Sequence, residues 1–458
     1  MEENKRITSS GENIQKPLKV KVYKKRWIIL FIFAINSLAN ALLFVSTTSI
    51  NSIICRYYNI SPSLTDWSGN SFAVVFVLIA LPSAYCMDSF GVRTLVLIGS
   101  SLNAICVCLH LAGTARENGI WYVLSGQFIA GFSVGAILQV PPRLASVWFP
   151  EHEQARAVSM ATGFNVLGLA IGFLQSSYMV PDSENMDEIY DGLLKMNISH
   201  VALLAVCLIS AYLFFDEKPP LPPSYAKAVL DSSSVDEHVD TPGFKLSLKM
   251  LFTDKDFMIL AFVYGIQFGL YNMFVTCLNE MSSNITSSAN IGWLGFISNV
   301  ISIVGILSFA ALADKYRFYK KITHFLFFVQ ILCWVGFSAA TLYWKTTATL
   351  FITYCLVSFF NVPFIAVGLS YATELTYPVT EGMSSAIVLI IGNLIGSSSV
   401  FAFGKLIDNG YMFLMCSIVT GMYVVAFILT FFIKENLKRS DQESQHNSDS
   451  IYPISKDT

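Results

Sequence analysis

The sequence predicts an all-α membrane protein, with twelve transmembrane helices arranged as two halves of six. Of its 458 residues, 54% are hydrophobic and only 13% are charged, whereas soluble domains carry about 25% charged residues. Twelve apolar stretches approach or exceed the roughly 20 residues that a membrane-spanning helix needs. In lipid every backbone polar group must be paired within its own element, so these stretches are expected to be helices rather than open sheet.

The predicted spans have apolar centres. None of them carries an Asp, Glu, Lys or Arg near its middle. Proton-driven carriers usually keep a titratable carboxylate at membrane depth, and anion carriers a Lys or Arg. The sequence therefore predicts a neutral or cationic cargo, held by aromatic rings and amides. The spans are 27–50, 68–87, 94–114, 119–141, 157–180, 199–215, 257–280, 291–313, 322–343, 347–371, 383–404 and 411–433.

The basic residues are distributed unequally between alternate loops. With the N-terminus in the cytoplasm, 24 of the 29 Lys and Arg residues fall on the inner side, as the positive-inside rule predicts. Three Asn-x-Ser/Thr sequons fall in loops assigned to the outside, and they are glycosylation candidates: Asn59, Asn197 and Asn284. Both signals predict cytoplasmic termini and an even number of spans.

The two halves repeat each other. Asp88 follows the second span and Asp314 the eighth, and Pro-x-x-Glu follows both the fourth and the tenth. Two six-helix halves with matched loops are typical of the major facilitator superfamily, whose halves rock about a central site. The predicted organisation is a cytoplasmic tail (1–26), a six-helix bundle (27–215), a cytoplasmic linker with a short interfacial helix near 244–254 (216–256), a second bundle (257–433) and a cytoplasmic tail (434–458).

Charged residues gather in the loops on the inner side of both halves. Asp beside Lys or Arg on neighbouring helix ends predicts a latch that pairs in one conformation and parts in the other. The alternative is charge in water-exposed loops that enforces topology alone. The predicted cytoplasmic gate comprises Asp88, Arg93, Arg143, Asp314, Lys315, Arg317, Glu374 and Glu381.

An ordered set of short motifs resembles one family closely. The pieces include Ser49-Ile-Asn-Ser-Ile53, Pro142-Arg-Leu-Ala-Ser-Val-Trp-Phe149 and Glu374-Leu-Thr-Tyr-Pro378, and together they run from about residue 20 to 435. They are similar to the feline leukaemia virus subgroup C receptor family of facilitators. The resemblance implies transport of choline and ethanolamine by uniport, with haem as a further cargo assigned to the family.

The resemblance also implies where the cargo lies. In choline-carrying members a first-helix Trp packs on the quaternary ammonium, and Phe44 takes its place here, with a weaker π face. A seventh-helix Tyr aligns with Tyr271 or Asn272, and an eleventh-helix Gln with the shorter Asn393. These differences change the expected cargo site but not the expected fold.

A fifth-helix Gln of the family aligns with Val166, beside Asn165. Asn165 and Asn393 occupy matched places in the two halves, and this favours a role for both in the pocket. The predicted substrate-binding residues are thus Phe44, Asn165, Tyr271, Asn272 and Asn393. Each buried amide has an alternative role as a hydrogen-bonding link between helices. The polar candidates on spans one, four, five, seven and eleven are Asn36, Asn40, Gln139, Asn165, Gln267, Asn272 and Asn393.

The function predicted from these residues is an alternating-access uniporter of a small organic cation or amphipathic metabolite, choline/ethanolamine-like or haem. A non-transporting receptor that retains the fold is the alternative. Because no Gly-rich phosphate loop, His-Glu-x-x-His or nucleophile elbow occurs, an enzyme is not expected. His110 and His324 could contact a haem iron but are interpreted as interfacial residues.

The expected partners are the small-molecule cargo and the lipid bilayer. No cofactor or resident metal is expected. No nucleic-acid partner is expected either, because the sequence has no basic stripe on a soluble face. The chain is expected to be a monomer in the plasma membrane, with mitochondrial and endosomal membranes as alternatives.

Overall fold

The computed structural model describes residues 20–114, 118–223, 244–316, 318–376 and 379–434. Within these ranges the regular structure is helical, with no strand. Twelve of the helices are long and apolar enough to cross a membrane, which confirms the twelve predicted spans.

The N-terminal half contains α1 (Lys25–Thr48), α2 (Trp67–Met87), α3 (Ser89–Gly113), α4 (Gly119–Trp148), α5 (Arg156–Met179) and α6 (Met186–Phe214). The C-terminal half contains α7 (Lys255–Thr276), α8 (Ser288–Ala313), α9 (Tyr319–Trp344), α10 (Thr347–Thr376), α11 (Gly382–Asp408) and α12 (Met412–Phe432). A helix at Phe244–Thr253 occupies the position predicted for the interfacial helix of the linker.

Helix α6 begins much earlier than the predicted residue 199. The Asn185 side chain caps it by accepting from the Asp187 N–H, and Asp187 and Glu188 lie in its first turn. Acidic side chains stabilise a helix N-terminus. The first turns of α6 are polar, so the apolar composition of the sequence did not reveal them, but they are helical.

One predicted glycosylation candidate does not lie in a loop. Asn197 is inside α6 and buried, and its Nδ2 donates to the His110 carbonyl (3.3 Å) and to Thr114 Oγ1 (3.1 Å). Its assignment to an outer loop is wrong, since the helix continues through this segment and packs it against α3. Asn59 and Asn284 are exposed beyond the ends of two short helices, Asn51–Tyr58 and Leu278–Ser282.

The start of α3 is anchored to the beginning of the linker. Gly91 adopts φ +85°, a left-handed conformation that suits glycine. The Glu217 carboxylate accepts from the N–H groups of Val92 (2.8 Å) and Arg93 (2.7 Å). An anion on free N–H groups at a helix start is a favourable arrangement, so Glu217 fixes the end of the first half against its α2–α3 turn.

The two halves meet closely at the ends of their helices opposite the chain termini. Helix α5 packs against α8, and α2 packs against α11. At Gly295 of α8 the ring of Phe173 from α5 lies so close that a Cβ would stand 2.4 Å from its Cγ. Three hydrogen bonds also join the halves on this side: Asn51 Nδ2 to Glu280 Oε1 (3.2 Å), Asn279 Nδ2 to the Ser49 carbonyl (3.1 Å) and Ser288 Oγ to Asp182 Oδ2 (3.1 Å).

Candidate transport site

A cavity of about 950 Å³, including its mouth, lies between the two halves. Side chains of α1, α2, α4 and α5 line it from the first half, and those of α7, α10 and α11 from the second. A central cavity shared by both halves is the arrangement expected of a carrier whose halves rock about a bound cargo.

All five predicted substrate-binding residues line this cavity. Phe44 comes from α1, Asn165 from α5, Tyr271 and Asn272 from α7, and Asn393 from α11. Asn40, a further polar candidate, lines it as well. The structure therefore brings these residues together from four helices, and their contact with cargo remains a prediction.

Aromatic rings form one part of the cavity wall. Phe44 is half-buried, and its ring meets that of Phe72 edge to face at 5.3 Å between centroids. Phe268 and Tyr271 contribute two more rings from α7. The Tyr271 hydroxyl donates to Asn299 Oδ1 at 3.3 Å, which holds the ring in place. Such faces attract a cation through the ring quadrupole.

The amides of the cavity are oriented by the surrounding protein. Asn165 Nδ2 donates to the carbonyl (3.2 Å) and Oγ (3.1 Å) of Ser37, and Asn393 Nδ2 donates to the Leu389 carbonyl (2.8 Å). Because a backbone carbonyl only accepts, the amide nitrogens must point toward these groups. Among the described residues, neither Oδ1 has a hydrogen-bond partner, so both amides offer acceptors.

Asn40 follows the same pattern. Its Nδ2 donates to Asn103 Oδ1 (3.0 Å) and Ser133 Oγ (2.7 Å), so its donor capacity is used within the first half. The described residues that line the cavity include no Asp, Glu, Lys, Arg or His. The described site is thus neutral, aromatic and rich in carbonyl oxygen, and it is suited to a cation or to a group that donates hydrogen bonds.

Comparisons with known proteins agree with this architecture. The sequence pattern of the Major Facilitator Superfamily matches residues 27–378. The chain is 30% identical over 429 residues to the choline/ethanolamine transporter FLVCR2 of Homo sapiens, covering 92% of this chain and 79% of that relative. The chain belongs to the feline leukaemia virus subgroup C receptor family. It is accordingly a multi-pass membrane transporter of the major facilitator fold.

Other relatives give the same result. The choline/ethanolamine transporter flvcr2a of Danio rerio is 29% identical over 446 residues, covering 94% of this chain and 92% of the relative. An uncharacterized MFS-type transporter of Caenorhabditis elegans is 29% identical over 438 residues, covering 94% and 72%. A crystal structure of a D-xylose–proton symporter aligns with a TM-score of 0.70 at 16% identity, over 90% of this chain and 98% of the other, and supports the fold alone.

Three of the predicted polar candidates do not line the cavity of this family member. Asn36 Oδ1 accepts from Ser100 Oγ at 2.6 Å, and Gln139 Nε2 donates to the Ala80 carbonyl at 3.0 Å. Gln267 is buried within the second half, away from the cavity, and donates to the Asn361 carbonyl at 3.4 Å. These amides link helices to each other, which was their alternative role.

Helix α2 was missing from the predicted pocket. It contributes Gly69, Asn70, Phe72 and Ala73 to the cavity wall. The signal that could have found it is Asn70, the amide side chain in the second predicted span. The sequence analysis placed the pocket on other spans and did not consider this one.

The predicted cytoplasmic gate is described only in part. Arg93 donates to the Tyr212 carbonyl of its own half at 3.4 Å, and Lys315 is exposed beside the ring of Tyr316. Arg143 and Glu374 are half-buried. Arg317 and the side chains of Asp88, Asp314 and Glu381 lie outside the described residues. The latch between the halves therefore stays a prediction.

Proposed function

We propose that this chain is a facilitative carrier of a small organic cation of the amino-alcohol class, either choline or ethanolamine. The observation that carries the proposal is the cavity between the halves, whose described wall combines aromatic rings and amide side chains without a charged residue. Its relatives in human and zebrafish bear the name choline/ethanolamine transporter, which agrees with a cargo of this chemistry.

The chemistry of such a cargo suits the site. A quaternary ammonium has no hydrogen to donate, so it is stabilised by π faces such as those of Phe44 and Tyr271 and by carbonyl dipoles. A primary ammonium can in addition donate to the free Oδ1 atoms of Asn165 and Asn393. Each contribution is modest, about 0.5–2 kcal/mol for a cation over a ring, so recognition depends on several groups acting together.

Haem fits the same cavity less well. Among the described residues of the cavity wall, its carboxylates would lack a Lys or Arg partner and its iron would lack a His. His110 is buried in α3 with Nε2 3.5 Å from Cys106 Sγ, and His324 stacks on Phe431 at 4.4 Å between ring centroids. Neither histidine lines the cavity, so a cation is the better-supported cargo.

The proposed cycle is uniport by alternating access. The hydrogen bonds between Asn51 and Glu280 and between Asn279 and Ser49 would close the outer side, and the predicted gate residues would close the inner side in the opposite state. Uniport follows from a cavity wall without a titratable carboxylate. We place both termini in the cytoplasm and the chain, as a monomer, in the plasma membrane. A non-transporting receptor would need no such cycle.

Uptake measurements test this proposal. Cells expressing the full chain are given labelled choline, ethanolamine and haem separately, and the assay is repeated with Phe44→Ala and Asn393→Ala. We expect choline or ethanolamine uptake that both substitutions reduce. The matched control is Asn409→Ala, an exposed amide at the end of the same helix as Asn393, which should leave uptake unchanged. Uptake of haem alone, or of none of the three, would overturn the proposal.

A further inference from the structure

Within the part of the chain that the structure describes, one amide of the cavity has no protein partner for either of its polar atoms. Asn70, near the start of α2, is only 2% exposed and lines the cavity. Its Nδ2 and Oδ1 are both buried without a hydrogen bond. It differs in this from Asn165 and Asn393, whose Nδ2 groups are engaged by the protein.

The backbone around Asn70 is held firmly at the closed end of the cavity. A Cβ at the preceding Gly69 would stand 2.8 Å from the methyl of Thr48 and 3.3 Å from that of Thr276. Trp67, one turn earlier, lies 5.0 Å from the ring of Phe401 in α11. Helix α2 therefore packs closely between the ends of α1, α7 and α11 beside Asn70, and both Asn70 and Thr276 line the cavity.

An unpaired buried amide needs a physical reason. Buried polar groups almost always have a partner, and an unsatisfied one destabilises the fold more than an apolar side chain of the same shape. Leu would fill this position without that penalty. The free donor and free acceptor of Asn70 thus have an obvious use only when a polar group of the cargo reaches them.

We infer that Asn70 binds the hydroxyl group of the cargo and so selects amino alcohols over simple alkylammonium ions. This inference rests on the proposed function and assigns one part of it. A hydroxyl both donates and accepts, which matches the free Oδ1 and Nδ2 of Asn70. The rings and the acceptor-only amides then hold the cationic end, so the cargo is recognised at two points.

The test compares two cations that differ by one hydroxyl. Choline and ethyltrimethylammonium are titrated into the purified full-length protein, and each Kd is measured by calorimetry for the wild type, for Asn70→Leu and for Ser68→Ala. Ser68 is the matched control, because its Oγ is also buried and unpaired in α2 but does not line the cavity. The apparent Tm without cargo is recorded for each variant.

We expect Asn70→Leu to weaken choline binding by about tenfold, equivalent to about 1.4 kcal/mol, and to change the Kd of ethyltrimethylammonium by less than about twofold. Its apparent Tm should be unchanged or higher, since an unpaired amide has been removed. Ser68→Ala should alter neither Kd.

Three results would overturn the assignment. Equal weakening of both cations, no change for either, or a lower apparent Tm in Asn70→Leu would indicate a structural amide or an uninvolved one. If the wild type bound both cations and Asn70→Leu were not selective, only the role of Asn70 would fail. If the wild type bound neither, the proposed function would fail and the assignment with it.

Discussion

The contact between α5 and α8 allows one prediction to be worked out from the structure. Gly295 faces the ring of Phe173, and a Cβ at this position would stand 2.4 Å from Cγ and 2.7 Å from both Cδ atoms. Carbon atoms in contact normally lie about 3.5–4.0 Å apart. In Gly295→Ala the ring, only 1% exposed, would have to retreat by about 1 Å into a packed interface.

The clash acts on one conformation. Overpacking of this kind typically costs about 1–3 kcal/mol, and it should be relieved when the two halves separate at this end. Taking about 2 kcal/mol, the ratio of the closed to the open outer side should fall about 30-fold. The rate of exchange between the two states should change together with this ratio, and the maximal rate of uptake should change with it.

The assay measures the separation of the halves directly. Spin labels are introduced as unnatural amino acids at positions 184 and 283, exposed sites on the outer ends of the first and second halves. Pulsed electron resonance then gives the distance distribution in lipid. We expect Gly295→Ala to populate a longer distance. Gly163→Ala is the matched control on the same helix pair, because its Cβ would meet only Ile303 at an ordinary 3.9 Å.

A distance distribution for Gly295→Ala identical to that of the wild type and of Gly163→Ala would refute this reasoning. It would mean that the α5–α8 contact does not open during the cycle, or that the ring moves aside at little cost. A shift in both variants would point instead to a general loosening of the pair.

Three further predictions follow from individual residues. Gly91→Ala places a Cβ on a residue with φ +85° and against the Glu217 carboxylate. Its free energy of unfolding should therefore fall by about 1–3 kcal/mol, seen as a lower apparent Tm. Gly421→Ala, with open space around its Cβ, should leave the apparent Tm unchanged. Phe44→Leu keeps an apolar side chain but removes the π face, so KM for choline should rise by about two- to thirtyfold, whereas Phe44→Trp should lower it; equal values in uptake assays would exclude a cation–π contact. If the chain carries a glycan, Asn59→Gln or Asn284→Gln should remove it and increase the mobility of the protein on a gel. Asn197→Gln should leave the mobility unchanged, because Asn197 is buried.

Much of the fold could be predicted because lipid leaves few choices. An apolar stretch that crosses a bilayer must be helical, so composition alone located all twelve spans. The start of α6 was missed because Asp187, Glu188 and the polar residues after them are helical without being apolar. The error placed Asn197 in a loop. Charge predicts where a helix leaves the membrane, but it does not predict where the helix ends.

The candidate site could be predicted where residues at matched positions in the two halves indicated which side chains meet. Asn165 and Asn393 stand at matched places in the two halves, and both line the cavity. Asn36 and Gln139 also lie within apolar stretches, yet their side chains make hydrogen bonds to other helices. A single sequence does not say which face of a buried helix meets the cavity. Asn70 was missed for the same reason, since the sequence does not show that its face of α2 meets the cavity.

The central claim is that a cation crosses through a site whose described wall contains no carboxylate, basic side chain or histidine. The most direct measurement uses the purified chain in liposomes and supplies labelled choline, whose charge does not change with pH, from the outside. Because each cycle would carry one positive charge, choline should follow the membrane potential, by about tenfold for each 60 mV. A pH gradient at zero potential, set with potassium and valinomycin, should produce no accumulation. Accumulation driven by the pH gradient alone would contradict the account.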